Sequence, residues 1–355
     1  MKKIVGILAA AAVLATSVFA ADVSAKVELD GKLFNYDGDS KAVSALNVDK
    51  PSAQHWNPAL STSVSGDNAG ASFVVMSGDN EKFGGWNEGK ALAGRNWQIW
   101  LKPTDSLKFT IGKIDANLNQ EQITWSGTKI NTDSNGFGVN LGIDAVSIDV
   151  LFTPGLGANW FSKEDGKDAV IGQTTVKVAY GADFGNIGLW FQGNETFKKN
   201  TIAVGYNNNF DGIFAFVNAG ATIANKDVNQ GKNDYIDIRV EAFAKGNADA
   251  FGWAVWVPFN YITDDTWKKD DSNAIVVDQK KGAYVGSIVE LTYALDGATG
   301  YFRFNDGNFL ADKFAAEFRL GAKGSVGAAG WNIWAQINAA EKTSFSVPFE
   351  FSYSF

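Results

Sequence analysis

The sequence contains no cysteine and a single histidine, His55. Without thiols there is no disulfide to brace an exported chain, no thiolate nucleophile and no thiolate metal ligand, and one imidazole cannot assemble a Cys/His metal site. His55 sits beside Trp56 and Pro58, away from any patterned Ser, Asp or Glu partner, which argues against histidine-dependent hydrolysis and against an enzyme. After Ala20 no apolar run approaches the roughly 20 residues that a membrane-spanning helix requires, so any crossing must be made by strands. Basic residues are in deficit, 31 Lys and Arg against 39 Asp and Glu, and no basic patch is interleaved with aromatics, so nucleic acid is not an expected partner. No glycine loop of the phosphate-cradling kind is present. The acidic pairs Asp264-Asp265 and Asp270-Asp271 offer Ca²⁺ ligands, but Lys268, Lys269, Lys280 and Lys281 among them make a solvated loop the better reading. No cofactor and no metal are expected.

What the chain does have is 38 Gly, 26 Phe and 12 Trp, a composition of strand formers and tight turns. It opens Met1-Lys2-Lys3, runs apolar from Ile4 to Ala15 and reaches Val18-Phe19-Ala20, the pattern of a secretory signal peptide over 1–20 cleaved after Ala20. Residues 21–355 then form the mature chain, and losing Lys2 and Lys3 takes the formal charge from −8 to −10. No Pro-rich or Ser-rich linker divides 21–355, which reads as one domain.

The last thirteen residues organise that domain. Phe345, Val347, Phe349, Phe351, Tyr353 and Phe355 occupy one phase of a two-residue repeat, and Ser344, Ser346, Pro348, Glu350, Ser352 and Ser354 the other. A sheet closed on itself would pair this strand with the first, where Val23, Ala25, Val27 and Leu29 alternate with polar residues. Between them eight hairpins follow, turning at Gly66 to Gly70, Pro103 to Ser106, Asp144-Ala145, Asp183 to Asn186, Asn207 to Gly212, Gly246 to Asp249, Asp296-Gly297, and between Leu320 and Trp331. Short turns alternate strictly with longer polar connections, among them Gly78 to Gly94, Lys113 to Gly136, Pro154 to Gln173 and Asn260 to Lys280. That asymmetry predicts an all-β, antiparallel, up-and-down transmembrane barrel of 16 to 18 strands. The count is 18, falling to 16 without the weak hairpin Ala59 to Met76. A barrel of that size encloses water rather than a packed interior.

The phase opposite the apolar one carries Lys102, Lys108, Lys177, Arg239, Arg303, Arg319 and Lys323 with Asp149, Asp237, Glu241, Glu290, Glu317 and Glu350. Charges along every wall suit a wet lumen and are expected to line the pore. Three Trp-x-x-Trp segments place one indole on each face. Trp97, Trp253 and Trp331 would anchor at the membrane boundary, while Trp100, Trp256 and Trp334, with Trp190, point inward. The inward rings either form a stacking track for sugars, or pack beneath an infolded loop or against neighbours near the rim.

The aromatic terminal strand ending Phe351, Tyr353, Phe355 resembles the assembly signal of bacterial outer-membrane barrels, porins above all. The resemblance implies an outer-membrane channel for passive diffusion of small hydrophilic solutes and ions, in contact with lipid, frequently a homotrimer, its terminal Phe read by the barrel-insertion machinery. A sugar-selective porin and a surface adhesin or structural barrel are the alternatives. The porins' acidic constriction motif has only a partial echo, Phe83-Gly84-Gly85-Trp86, one loop too early, which leaves the constricting loop open.

Overall fold

A computed structural model describes residues 22–47, 59–76, 93–124, 130–153, 173–270 and 272–354. The signal peptide, His55, Phe83 to Trp86 and Phe355 lie outside the described residues. In chain order the strands are β1 (Asp22–Tyr36), β2 (Val43–Asn47), β3 (Ala59–Ser65), β4 (Ala69–Met76), β5 (Ala93–Thr104), β6 (Leu107–Asn117), β7 (Asn131–Ile143), β8 (Val146–Phe152), β9 (Thr174–Ala182), β10 (Gly185–Asn194), β11 (Lys199–Phe210) and β12 (Ile213–Ala224). They continue with β13 (Tyr235–Ala248), β14 (Phe251–Ile262), β15 (Thr266–Lys269), β16 (Ile275–Gln279), β17 (Gly282–Val285), β18 (Ser287–Leu295), β19 (Ala298–Asp306), β20 (Ala316–Val326), β21 (Ala329–Ala339) and β22 (Ser344–Ser354).

Neighbouring positions of the sheet pair antiparallel throughout, β15 and β16 pair as a separate ribbon, and β1 closes on β22 from Lys26↔Ser354 to Tyr36↔Phe345, so the aromatic terminal strand meets the first strand. Closure leaves no open edge, the condition for a sheet in hydrocarbon. Twenty strands belong to this sheet but fill eighteen positions. β2 and β3 share one, pairing with the upper and lower halves of β1. β17 and β18 share another, both on β14 in a single register. Their interruption has a local cause. Gly286 donates to the carbonyl of Pro258, and the reciprocal bond is impossible because proline has no N–H. The weak hairpin of the sequence is present as β3 and β4.

At one end the strands reverse through short turns whose residues supply the left-handed backbone that such turns need. Asp211 and Gly212 have φ of 49° and 87°, while Asp144 and Asp249 have 49° and 50°. The other end carries the longer connections, but the alternation is not strict. β10 and β11 are joined by residues 195–198 alone, because Glu195, Thr196 and Phe197 are successively left-handed (φ 49°, 56°, 62°) and Phe197 folds back to stack on Phe191. β21 and β22 are likewise joined by residues 340–343. Lys198 reaches Asp227 at 2.8 Å in the next connection, and that hydrogen bond and charge hold the exposed Asp227 carboxyl below its ordinary pKa. β20 begins at Ala316, with Phe314 in the connection before it.

Alternation along each strand sorts the side chains. Ile238, Val240, Leu291, Phe302, Leu320 and Ile333 stand exposed on the outer wall, while their neighbours Asp237, Glu241, Glu290 and Trp334 are buried inside. The tryptophans are seated on glycines across the strand pair. A Cβ on Gly70, Gly246 or Gly324 would lie 2.5, 3.1 or 2.9 Å from the ring of Trp100, Trp253 or Trp331. These pairs replace a missing side chain by a flat indole and pin the register.

Candidate functional site

Both ends of the connection between β6 and β7 are described, and it folds into the barrel. From Leu118 to Ile123 it traverses the inner wall strand by strand. Leu118 enters a socket made by two glycines opposite each other, Gly188 on β10 and Gly205 on β11, where a Cβ would come within 2.8 Å of it. Asn119 donates to Asn218 Oδ1 of β12 at 2.8 Å and accepts from Asn207 Nδ2 of β11 at 2.7 Å. Glu121 meets Lys245 of β13 at 2.9 Å. Ile123 is buried with Phe216, Phe243, Trp256 and Ile288 of β12, β13, β14 and β18. Leu118 and Ile130 are buried with Trp190 and Ala203. Two apolar plugs with a polar row between them therefore hold the connection across one half of the lumen.

This strap decides what the expected inner residues can reach. Trp190 and Trp256 are each 2% exposed beneath it, so neither offers a face for stacking solutes. Glu241 points inward but is 2% exposed, accepting from Asn218 Nδ2 at 2.7 Å and Trp256 Nε1 at 2.9 Å, so it braces the strap rather than meeting open water. Asp237 is 4% exposed and holds Arg239 Nε at 2.8 Å and Asn260 Nδ2 at 2.7 Å. Lys102 sits at the end of β5 and reaches Asp105 in the turn at 3.1 Å. Lys108 lies 5.2 Å over the Trp100 ring and, with Lys177, Asn140 and Asp149, lines a cavity of about 380 Å³ along β5 to β9.

The strap leaves the opposite half open. A cavity of about 1010 Å³ runs between Gln122 at the strap and the wall of β18 to β22 and β1. Lys26, Arg303, Arg319 and Lys323 line it against Glu290 and Glu350, four basic groups to two acidic. Arg303 and Arg319 are cross-strand partners. Each has its own carboxylate: Arg303 Nε donates to Glu290 at 2.8 Å and Arg319 Nε to Glu317 at 2.7 Å. Arg319 lies 5.6 Å from the Trp334 ring and Lys323 5.6 Å from the Tyr301 ring, while Tyr301 donates to Asn332, which donates to Glu350. Phe351 and Tyr353 of the terminal strand are exposed on the outer wall. Among the described residues no group of three or more Asp, Glu and His is gathered for a metal ion.

Asn119, Asn207 and Asn218 were not among the residues expected from the sequence. The visible trace of the strap was indirect: apolar Leu118 and Ile123 in a polar connection, and glycines at inward positions 188 and 205.

No protein-family model and no curated protein sequence matches the chain. Solved structures do. The chain is similar to OccK9 (OpdG) of Pseudomonas aeruginosa, with a TM-score of 0.58 at 12% identity over 95% of this chain and 98% of that one. It is similar to Pseudomonas aeruginosa OpdK crystallised with vanillate, TM-score 0.53 at 12% identity over 94% and 98%. The third is OccAB4 of Acinetobacter baumannii, TM-score 0.55 at 12% identity over 94% and 98%. At such identity the likeness is one of fold, and that fold is the closed barrel expected from the terminal strand.

Proposed function

We propose that the chain is an outer-membrane channel for passive diffusion of small hydrophilic solutes, with a mild preference for anions. The observation that carries this is the cavity left open by the strap, walled by Lys26, Arg303, Arg319 and Lys323 against Glu290 and Glu350, with Glu317 behind Arg319 as a third carboxylate, so that basic groups outnumber acidic ones by four to three. In a narrow passage these charges act on every ion that passes, whereas the acidic outer loops are screened over about 8 Å at physiological ionic strength. One fold neighbour was crystallised with vanillate, an aromatic carboxylate. A guanidinium beside an indole, as Arg319 lies beside Trp334, suits that chemistry.

The same reading takes the signal peptide to be removed after Ala20, Phe355 to be read by the insertion machinery, the outer wall to face lipid and three copies to assemble. It assigns no catalysis, in keeping with fold neighbours that are channels. A sugar track is disfavoured because two of its four rings, Trp190 and Trp256, lie under the strap. The test is planar-bilayer recording under a salt gradient. Replacing Arg303 and Arg319 together by Gln moves the reversal potential toward cations, more at low salt than at high. An unchanged potential at low salt sinks the anion preference, and absence of conductance sinks the channel.

A further inference from the structure

The connection between β19 and β20 carries large apolar residues on its surface. Phe309, Leu310 and Phe314 are 51%, 56% and 61% exposed, an arrangement that costs free energy in water. The segment is nevertheless built. Asp306 Oδ1 accepts from the Asn308 amide at 2.8 Å, and Asn308 Oδ1 accepts from the amides of Val285 and Leu310 at 3.2 and 3.1 Å. The Phe309 amide donates to the Val285 carbonyl at 2.6 Å. The chain beyond Asp306 thus takes the place beside β17 that β19 vacates, at the seam where Pro258 removes a ladder bond. It passes so close that a Cβ on Gly286 would lie 2.9 Å from the carbonyl oxygens of Asp306 and Gly307.

Its direction is set by two contacts. Phe309 stacks on Phe304 at 6.3 Å, and Phe304 packs on Phe318 at 5.3 Å. Both Phe304 and Phe318 belong to the outward phase, with Phe302 and Leu320. The segment therefore lies against the outside of the barrel, not over its mouth. It covers Asp306, a carboxylate on that same outward phase, leaving it 3% exposed.

We infer that residues 308–314 form a lipid-contacting flap, with Phe309, Leu310 and Phe314 embedded at the boundary of the leaflet on the long-connection side. Continuity with the apolar wall through the Phe304 and Phe318 stack selects lipid as the occupant. In that setting the exposed rings are stabilised, and the Asp306 carboxylate is kept from hydrocarbon by the backbone laid over it. The inference rests on the membrane reading above and extends it to a connection that would otherwise be assigned to water.

The absence of cysteine makes the test clean. Leu310→Cys is spin-labelled in protein reconstituted in phosphatidylcholine bilayers, with Ile238→Cys on the outer wall as a reference. Collision rates with oxygen and with a water-soluble nickel chelate are then compared. The flap predicts oxygen accessibility several-fold above nickel accessibility at both positions. Nickel access at 310 with oxygen access at 238 overturns the flap alone, and shielding of 310 from both reagents overturns it in favour of contact with another copy of the chain. Nickel access at both positions overturns the membrane reading itself.

Discussion

Gly205→Val tests whether the strap sets the width of the channel. Gly205 has no left-handed backbone requirement, and valine is well suited to a strand, so β11 itself tolerates the change. The new side chain meets the Asn218 side chain of β12 and the strap bonded to it, since a Cβ there would lie 2.5 Å from Asn218 Oδ1, 2.7 Å from Asn119 Nδ2 and 2.8 Å from Leu118 Cγ. Evicting the strap forfeits the burial of Leu118, about 1.5–3 kcal/mol. It also forfeits the two side-chain hydrogen bonds of Asn119, about 1 kcal/mol each. A loss of about 4 kcal/mol shifts the docked-to-free ratio roughly a thousandfold. Single-channel recording should therefore show larger conductance with frequent transitions between levels. Gly142→Val is the control, because a Cβ at that inward glycine meets nothing within 4 Å. Wild-type conductance in a folded, heat-modifiable Gly205→Val barrel would refute the assignment of residues 118–123 as the constriction.

Val240, which pairs with Phe259 and Ala219 on the outer wall, should not accept charge: Val240→Arg is expected to cost about 2–4 kcal/mol near the bilayer midplane and to lower folded yield, whereas Lys177→Gln on the inner wall leaves yield within error. Equal yields would reverse the assignment of faces; Arg239→Gln is the wrong control because it strips a buried Asp237 of its cation. Deleting Phe355 should lower the amount of heat-modifiable barrel recovered from outer membranes, and an unchanged amount would remove the role given to the terminal residue.

The faces were legible because a strand repeats every two residues. Once the outward phase is read at Phe349 or Val240, every neighbour follows, and eighteen positions emerge from turn to turn. The strap was not legible. Leu118, Asn119, Glu121 and Ile123 contact six different strands, and no period in the sequence marks a segment whose partners are set by the curvature of the wall. For the same reason the inward tryptophans could be assigned a side but not a neighbour.

The two arginines show where the boundary falls. A two-residue turn at Asp296-Gly297 fixes the register of β18 on β19, so Arg303 must face Glu290, and the pair can be derived by counting outward from the turn. Arg319 and Glu317 are two apart on one strand and share a face by the same period. The apposition of Arg303 with Arg319 cannot be derived, because β19 and β20 are joined by residues 307–315 and such a connection fixes no register. Like charges directly opposite each other destabilise a strand pair. Here Glu290 and Glu317 offset that repulsion from either side, and the seating of Arg319 against Trp334 leaves a guanidinium edge toward the cavity. The basic pair proposed to act on solutes thus stands at a strand pair, β19 and β20, whose alignment no short turn sets.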